Sequence, residues 1–457
     1  MNSRISLWAA LMVIAGAAQA QSPVVLEWTT PRLEGSAGHP NGSCSCSPIE
    51  KNAMATDAAG NAYIAGYRNV GPATVWTVSK IDPSGAVAWQ VSNPGPERRF
   101  DYAYAVAVDP NGDPVVTGSS YVPSGVSYLT IKFSAADGSQ LWEQRYSGVE
   151  GGSIATAIAI DVAGDVVVAG SSQKRMEIGT AYATVKYRGS DGEQLWASRY
   201  SRVTNESDRV GGLALDRSGN VFVTGASGSS QFSKFATVKY DGATGAQQWV
   251  ALYGPQTWTP QAHAALGIAV DSQGDPVVVG QSFGLFEDFA TIKYDGATGD
   301  PRWVARFDGA VRADLAKAVA IDGNDDVYVT GASVSGAGST WNMATLKYAG
   351  ASGSELWRAI GESPWVRNES AYAILVDASG VQVAGWATDT GGKYHPYAIG
   401  YSAATGAQLW ASTFDQPPAT DTATIALKPA GNGAYYLGVE NYYARDAHFL
   451  KRFRLTP

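Results

Sequence analysis

Seven tryptophans, Trp89, Trp142, Trp196, Trp249, Trp303, Trp357 and Trp410, follow one another at steps of 53 or 54 residues, and an eighth, Trp28, stands near the start of the 457-residue chain. A fixed period of this length marks a chain of stacked supersecondary units, a propeller or a solenoid, before any side-chain chemistry is weighed. From Trp410 to Pro457 is 47 residues, and in a mature chain starting at Gln21, Trp28 is the eighth residue, so the two ends together make 55 residues, one more period. The repeat then runs through the chain ends. A closed ring of eight units is expected.

One unit shows what repeats. Leu213 to Leu215 is short and apolar, Asp216 to Gly219 is a turn, and Val221 to Gly225 is β-branched and aromatic, as strands are. After a polar loop come Phe235 to Tyr240, the turn Asp241 to Gly245, and Gln247 to Tyr253 with Trp249. Four antiparallel strands, A to D, are predicted, and radial sets of such sheets are propeller blades. The A-B turn aspartate recurs at Asp57, Asp109, Asp161, Asp216, Asp271, Asp322 and Asp377, with Lys428 aligned to it in the eighth unit. These runs lack the alternating ligands and closing glutamate of calcium loops, so they read as turns. Strand B ends in glycine in every unit, as at Gly118 and Gly225. The eighth blade is split: Thr422 to Leu455 supplies strands A to C, and Val24 to Thr30 supplies strand D. The fold class expected is all-β, an eight-bladed β-propeller closed by its N-terminal strand.

Residues 1–20 read as a signal peptide, with Arg4, an apolar run from Ile5, and the small-x-small site Ala18-Gln19-Ala20. Residues 21–457 then form one secreted, periplasmic or extracellular, domain with a cysteine-containing loop at 31–52. No later segment is long and apolar enough to span a membrane. A net charge of −8 argues against nucleic acid as a partner. Two cysteines cannot staple a chain of this size, so packing must hold it.

The repeated Thr-Gly-x-x-x-Trp, as in Thr244-Gly245 to Trp249 and Thr405-Gly406 to Trp410, resembles the tryptophan-docking repeat of PQQ-type quinoproteins. That group contains eight-bladed alcohol dehydrogenases and non-enzymatic outer-membrane assembly lipoproteins. The run Asp216 to Gly225 is more similar still to secreted bacterial SBBP β-propeller repeats. The resemblance implies that each of the eight tryptophans docks between blades with its indole N–H bonded to backbone. Quinoprotein dehydrogenases typically hold their cofactor under an adjacent cysteine pair. Here Ser45 separates Cys44 from Cys46. No calcium ligands transfer by motif, and no cofactor is assigned.

Two sets of loops leave opposite faces. The A-B and C-D turns are short and uniform, while the D-A and B-C loops are long and irregular, and binding residues gather on loops of the latter kind. Eight residues before each A-B aspartate stands a rim position, occupied by Ile49, Asp101, Ser153, Asp208, His263, Asp314 and Glu369, with Asp421 one residue out of register. Its acids and histidine can form a ligand or cation site at the channel mouth, or cap backbone N–H groups entering strand A. Cys44 and Cys46, near His39 and with His448 on the eighth unit as a further candidate neighbour, are candidates for a disulfide, free thiols or a metal. Trp258, Trp365 and Trp386 offer flat rings to a glycan or peptide. A binding or protein-interaction scaffold, taking a protein, peptide or glycan on this face, is expected. The alternative is an enzyme there, either a quinoprotein-like oxidoreductase or a polysaccharide hydrolase or lyase. A belt of charge pairs is expected between blades, from each strand-C base (Lys80, Lys132, Lys186, Lys239, Lys293, Lys347, Arg452) to the A-B aspartate of the next blade.

Overall fold

The computed structural model describes residues 24–455 apart from segments 31–32, 35–52, 71–72, 94–99, 124, 149–151, 175–177, 203, 230, 255–261, 285, 310–312, 335–339, 362–367, 415–421 and 442–446. They form eight antiparallel sheets of the blade pattern, with no helix among the described residues. Blade 4 is representative, with strands Asp208–Leu215, Val221–Ser227, Lys234–Tyr240 and Gln247–Tyr253 from the channel outward. Blade 8 takes Thr422–Gly431, Ala434–Asn441 and Ala447–Leu455 from the end of the chain and Val24–Thr29 from its beginning. Trp28 is in register with Arg452, and Arg452 and Arg454 both ion-pair with Glu27 at 2.8 Å. The ring is closed.

Each apolar cluster is built from two neighbouring blades. Val167, Tyr182 and Trp196 of blade 3, for example, pack with Val221, Val223 and Tyr240 of blade 4. A blade therefore buries its faces only in the company of its neighbours. The glycine ending strand B has a steric reason. Strand A carries a register shift at this level, between Ala103 and Ala105 in blade 2, and a Cβ on Gly118 would stand 1.9 Å from the Tyr102 carbonyl oxygen.

Seven of the eight tryptophans join the blades through an indole N–H bond to the next blade's C-D turn. Trp410, whose Nε1 has no partner among the described residues, departs from the expected docking because blade 8 has no C-D turn to receive it. Trp142 Nε1–H donates to the Gly189 carbonyl in the C-D turn of the next blade at 3.1 Å, and Trp196 donates to Gly242 at 3.2 Å. Trp28 does the same across the closure, to Pro83 at 3.0 Å. The glycine of Thr-Gly-x-x-x-Trp is the seat for the preceding blade's ring. Gly245 has φ +72, and a Cβ there would come within 2.6 Å of Trp196. Both the left-handed backbone and the close approach exclude a side chain.

The strand-C bases do not form the expected charge belt. Lys132 pairs with Asp109 of its own blade at 2.7 Å, Lys186 with Asp161 at 2.8 Å and Lys293 with Asp271 at 2.6 Å. The A-B turn belongs to strand B as much as to strand A. Lys132 is in register with Val115 at the head of strand B, one strand from the turn. What crosses to the next blade is a hydrogen bond: Lys132 Nζ also donates to the Gly189 carbonyl at 3.0 Å, the same oxygen that receives Trp142. Lys428 is a second correction. It lies inside strand A of blade 8, in register with Tyr436, and the turn that follows centres on Asn432 and Gly433.

Candidate functional site

The rim residues enter strand A at the level of the D-A and B-C loops, and they are buried. Asp101, Asp208, His263, Asp314 and Glu369 are each 3% exposed or less. Three of them face a serine at the end of strand B: Asp208 is in register with Ser227, Asp314 with Ser333, and His263 Nδ1 lies 3.0 Å from Ser282 Oγ. In blade 3, where the rim residue is itself a serine, Ser153 donates to Ser172 at 2.9 Å. In three of these four pairs a guanidinium bonds to the serine. Arg199 donates to Ser172 Oγ at 3.1 Å, Arg202 to Ser227 Oγ at 3.2 Å and Arg306 to Ser282 Oγ at 2.8 Å. Arg199 and Arg306 each stand three residues after a docking tryptophan, as Arg145 does, a repeat position that could have found them, whereas Arg202 lies in the loop beyond strand D and carries no such signal.

The backbone N–H groups of the same loops are bonded too. Asp101 accepts from Tyr121 N at 3.2 Å, Asp314 from Gly309 N at 2.6 Å and His263 Nδ1 from Phe283 N at 3.3 Å. Burial pushes the carboxyls of Asp101, Asp208 and Asp314 above the ordinary range. The charges that act on them are local: Arg145 and Glu143 on Asp101, Lys174 on Asp208, Asp308 and Asp288 on Asp314. His263 is pushed down to about 4 by burial and then by Arg306 and Lys234, so it is neutral at pH 7. Glu369 accepts from Met343 N at 3.4 Å. The rim residues thus sit in separate local networks. The one carboxylate cluster with metal-ligand spacing among the described residues is Asp288, Asp308 and Asp314, with ligand atoms within 4.8 Å of one another, and Arg306 already ion-pairs with Asp288 there.

Trp386 is half-buried in blade 7, edge-to-face with Tyr394 at 4.8 Å. Trp258, Trp365, His39, Cys44 and Cys46 lie outside the described residues, as do Ile49 and Asp421. The aromatic rim and the thiol chemistry therefore rest on sequence alone. The loop face presents apolar side chains that the repeat did not single out: Phe100 is 48% exposed, Phe286 47% and Ile178 80%. Below this face a cavity of about 290 Å³ occupies the central channel, walled by strand A of blades 3 to 8. No helix among the described residues is long and apolar enough to cross a membrane.

The family model for the outer membrane protein assembly factor BamB matches residues 77–254, less than half of the chain. A comparison with curated protein sequences finds no match. Among solved structures, BamB from Moraxella catarrhalis is 16% identical, with 94% of this chain and 100% of that one covered at a TM-score of 0.52. The quinohemoprotein alcohol dehydrogenase from Comamonas testosteroni is 14% identical, with 95% of this chain and 77% of that one covered at a TM-score of 0.56. Chaetomium thermophilum Sqt1, solved bound to the N-terminus of ribosomal protein L10, is 8% identical, with 93% and 100% covered at 0.57. Likeness at this level of identity is likeness of fold, and a fold hosts many functions. The chain is, in fold, an eight-bladed β-propeller, similar in architecture to BamB and to the quinohemoprotein alcohol dehydrogenase.

Proposed function

We propose that the protein is a secreted, non-catalytic binding scaffold that takes a protein or peptide segment on the face of the D-A and B-C loops. The observation that carries this reading is that, although strand D and the A-B turn at Val162 also expose aliphatic side chains, the exposed phenylalanines both stand on the loop face, as does Ile178. Phe100, Ile178 and Phe286 are exposed on three connections of that one face. Exposed aromatic and aliphatic side chains on a rigid frame are the usual anchors of a protein interface. Trp386 adds a ring at blade 7. Asp101, Asp208, His263, Asp314 and Glu369 serve as supports in this reading. They fix the loops from beneath through the serine and arginine networks, and the ligand meets the residues above them. The solved relatives include a propeller that holds the N-terminal segment of another protein, and the family model is that of an assembly factor. The signal-like residues 1–20 support a partner outside the cytoplasm.

The test is selection of peptides from a random displayed library against the mature protein, followed by hydrogen-exchange mapping of the selected binder. Protection should fall on the segments around 100, 178 and 286, and Phe100→Ser with Phe286→Ser should weaken binding by tenfold or more. A footprint confined to the A-B and C-D turns, or full binding by the double variant, contradicts the reading.

A further inference from the structure

The central channel contains a charge imbalance that the repeat does not require. Its wall is mostly glycine, alanine, leucine, isoleucine and valine, as strand A dictates, yet Lys317, Tyr372 and Lys428 also line it. No aspartate or glutamate is among the described residues that line it. Four of the strand-C lysines, Lys132, Lys186, Lys293 and Lys347, by contrast each meet an aspartate. Lys317 is held in place by neutral groups: its ammonium donates to Ser370 Oγ at 2.8 Å and lies 3.8 Å from the centre of the Tyr372 ring. Lys428 is half-buried, and withdrawal from water pushes its ammonium below the ordinary lysine range with no carboxylate acting to restore it.

Lys428, an ammonium withdrawn from water in a cavity with no carboxylate among its described lining residues, is costly to keep charged, because its desolvation is not repaid. An anion in the cavity removes that cost. The cavity, about 290 Å³, lies at the lower limit of small-molecule sites, roughly 300 Å³, and is too small for a folded partner. We propose that the central channel is a binding site for a small oxyanion, a carboxylate or a phosphate, with Lys428 as its main ligand and Lys317 beside it. This site is independent of the loop face. It lies on strand A, below the residues assigned to the protein partner, and either reading can fail without the other.

The experiment is thermal unfolding of the mature protein in succinate, in inorganic phosphate and in sodium chloride at matched ionic strength. The melting temperature should climb with the logarithm of succinate or phosphate concentration, as for a ligand that binds only the folded state, and not with chloride. A response to succinate alone assigns a carboxylate, and a response to phosphate alone assigns a phosphate. Lys428→Met, which suits the apolar wall, should fold and raise the apparent dissociation constant at least tenfold. Lys428→Gln provides a second neutral variant read in the same way, and Lys428→Arg should retain the response. No rise beyond that in chloride, or an undiminished rise in both neutral variants, overturns the proposal.

Discussion

Gly400 lies directly beneath the indole of Trp410, and a Cβ built on it would stand 1.9 Å from Nε1. The other blades carry lysine or arginine here, reaching to the next blade's C-D turn. Blade 8 offers no such turn to receive one, since its strand D is Val24–Thr29 from the other end of the chain. Trp410 instead packs edge-to-face on Phe453 at 5.7 Å. Gly400→Ala should therefore destabilise by about 1–3 kcal/mol through overpacking. Gly323→Ala, with nothing within 4 Å of the added Cβ, should stay within about 0.5 kcal/mol in the same urea titration.

Lys132 and Asp109 form a buried pair, so removing one partner strands the other. Lys132→Met should cost about 3–5 kcal/mol. The double variant with Asp109→Asn should recover part of that loss, because the uncompensated carboxylate is gone. Equilibrium unfolding in a double-mutant cycle measures both. Equal losses in the single and double variants would mean that the Gly189 contact, not the charge pair, is what matters.

His263 makes stability depend on pH. Its folded value of about 4 lies below the unfolded value, near 6.5, so the unfolded chain binds the extra proton between them. Stability is full above pH 6.5 and falls as pH drops toward 4, by up to about 3 kcal/mol over the window. His263→Gln should flatten that segment of the stability profile. An imidazole that titrates near 6.5 by NMR would contradict the buried, neutral assignment.

Asp314 has the opposite sign. Burial raises its carboxyl, Gly309 N and Ser333 pull it back, and Asp308 and Asp288 raise it further. An acid raised on folding costs the folded state whenever it is ionised, so the penalty grows as pH rises past its unfolded value of about 3.9. Asp314→Asn keeps an acceptor for Gly309 N without the charge. It should melt higher than the parent at pH 7, with the gain gone at pH 3, in a calorimetric series.

The ring was legible because its signal is periodic: a bulky ring every 53 or 54 residues, and glycine wherever backbone or indole comes too close. The acceptors of Trp142 and Lys132 were not, because both bonds end on the backbone carbonyl of Gly189, which carries no side-chain signature. Lys428 was misplaced because strand A of blade 8 continues through Pro429 to Gly431, so counting from the repeat put the turn too early. The rim position was visible as a column of acids. Its burial was not, since a column of acids gives no sign of the serines of strand B and, in three blades, the arginines that bond to them.

Closure of the ring by the first strand is the claim on which the rest stands, and a reversible cross-link tests it most directly. Val25 and Arg454 are register partners across that joint, and both are exposed. With Cys44 and Cys46 changed to serine, Val25→Cys and Arg454→Cys should oxidise to a disulfide that ties nearly the whole chain into one loop. The oxidised form should resist denaturant more than the reduced form by several kcal/mol, up to about 5 kcal/mol. Failure of the two thiols to pair under oxidising conditions, or pairing that leaves the unfolding midpoint unchanged, would mean that Val24–Thr29 does not complete the eighth blade.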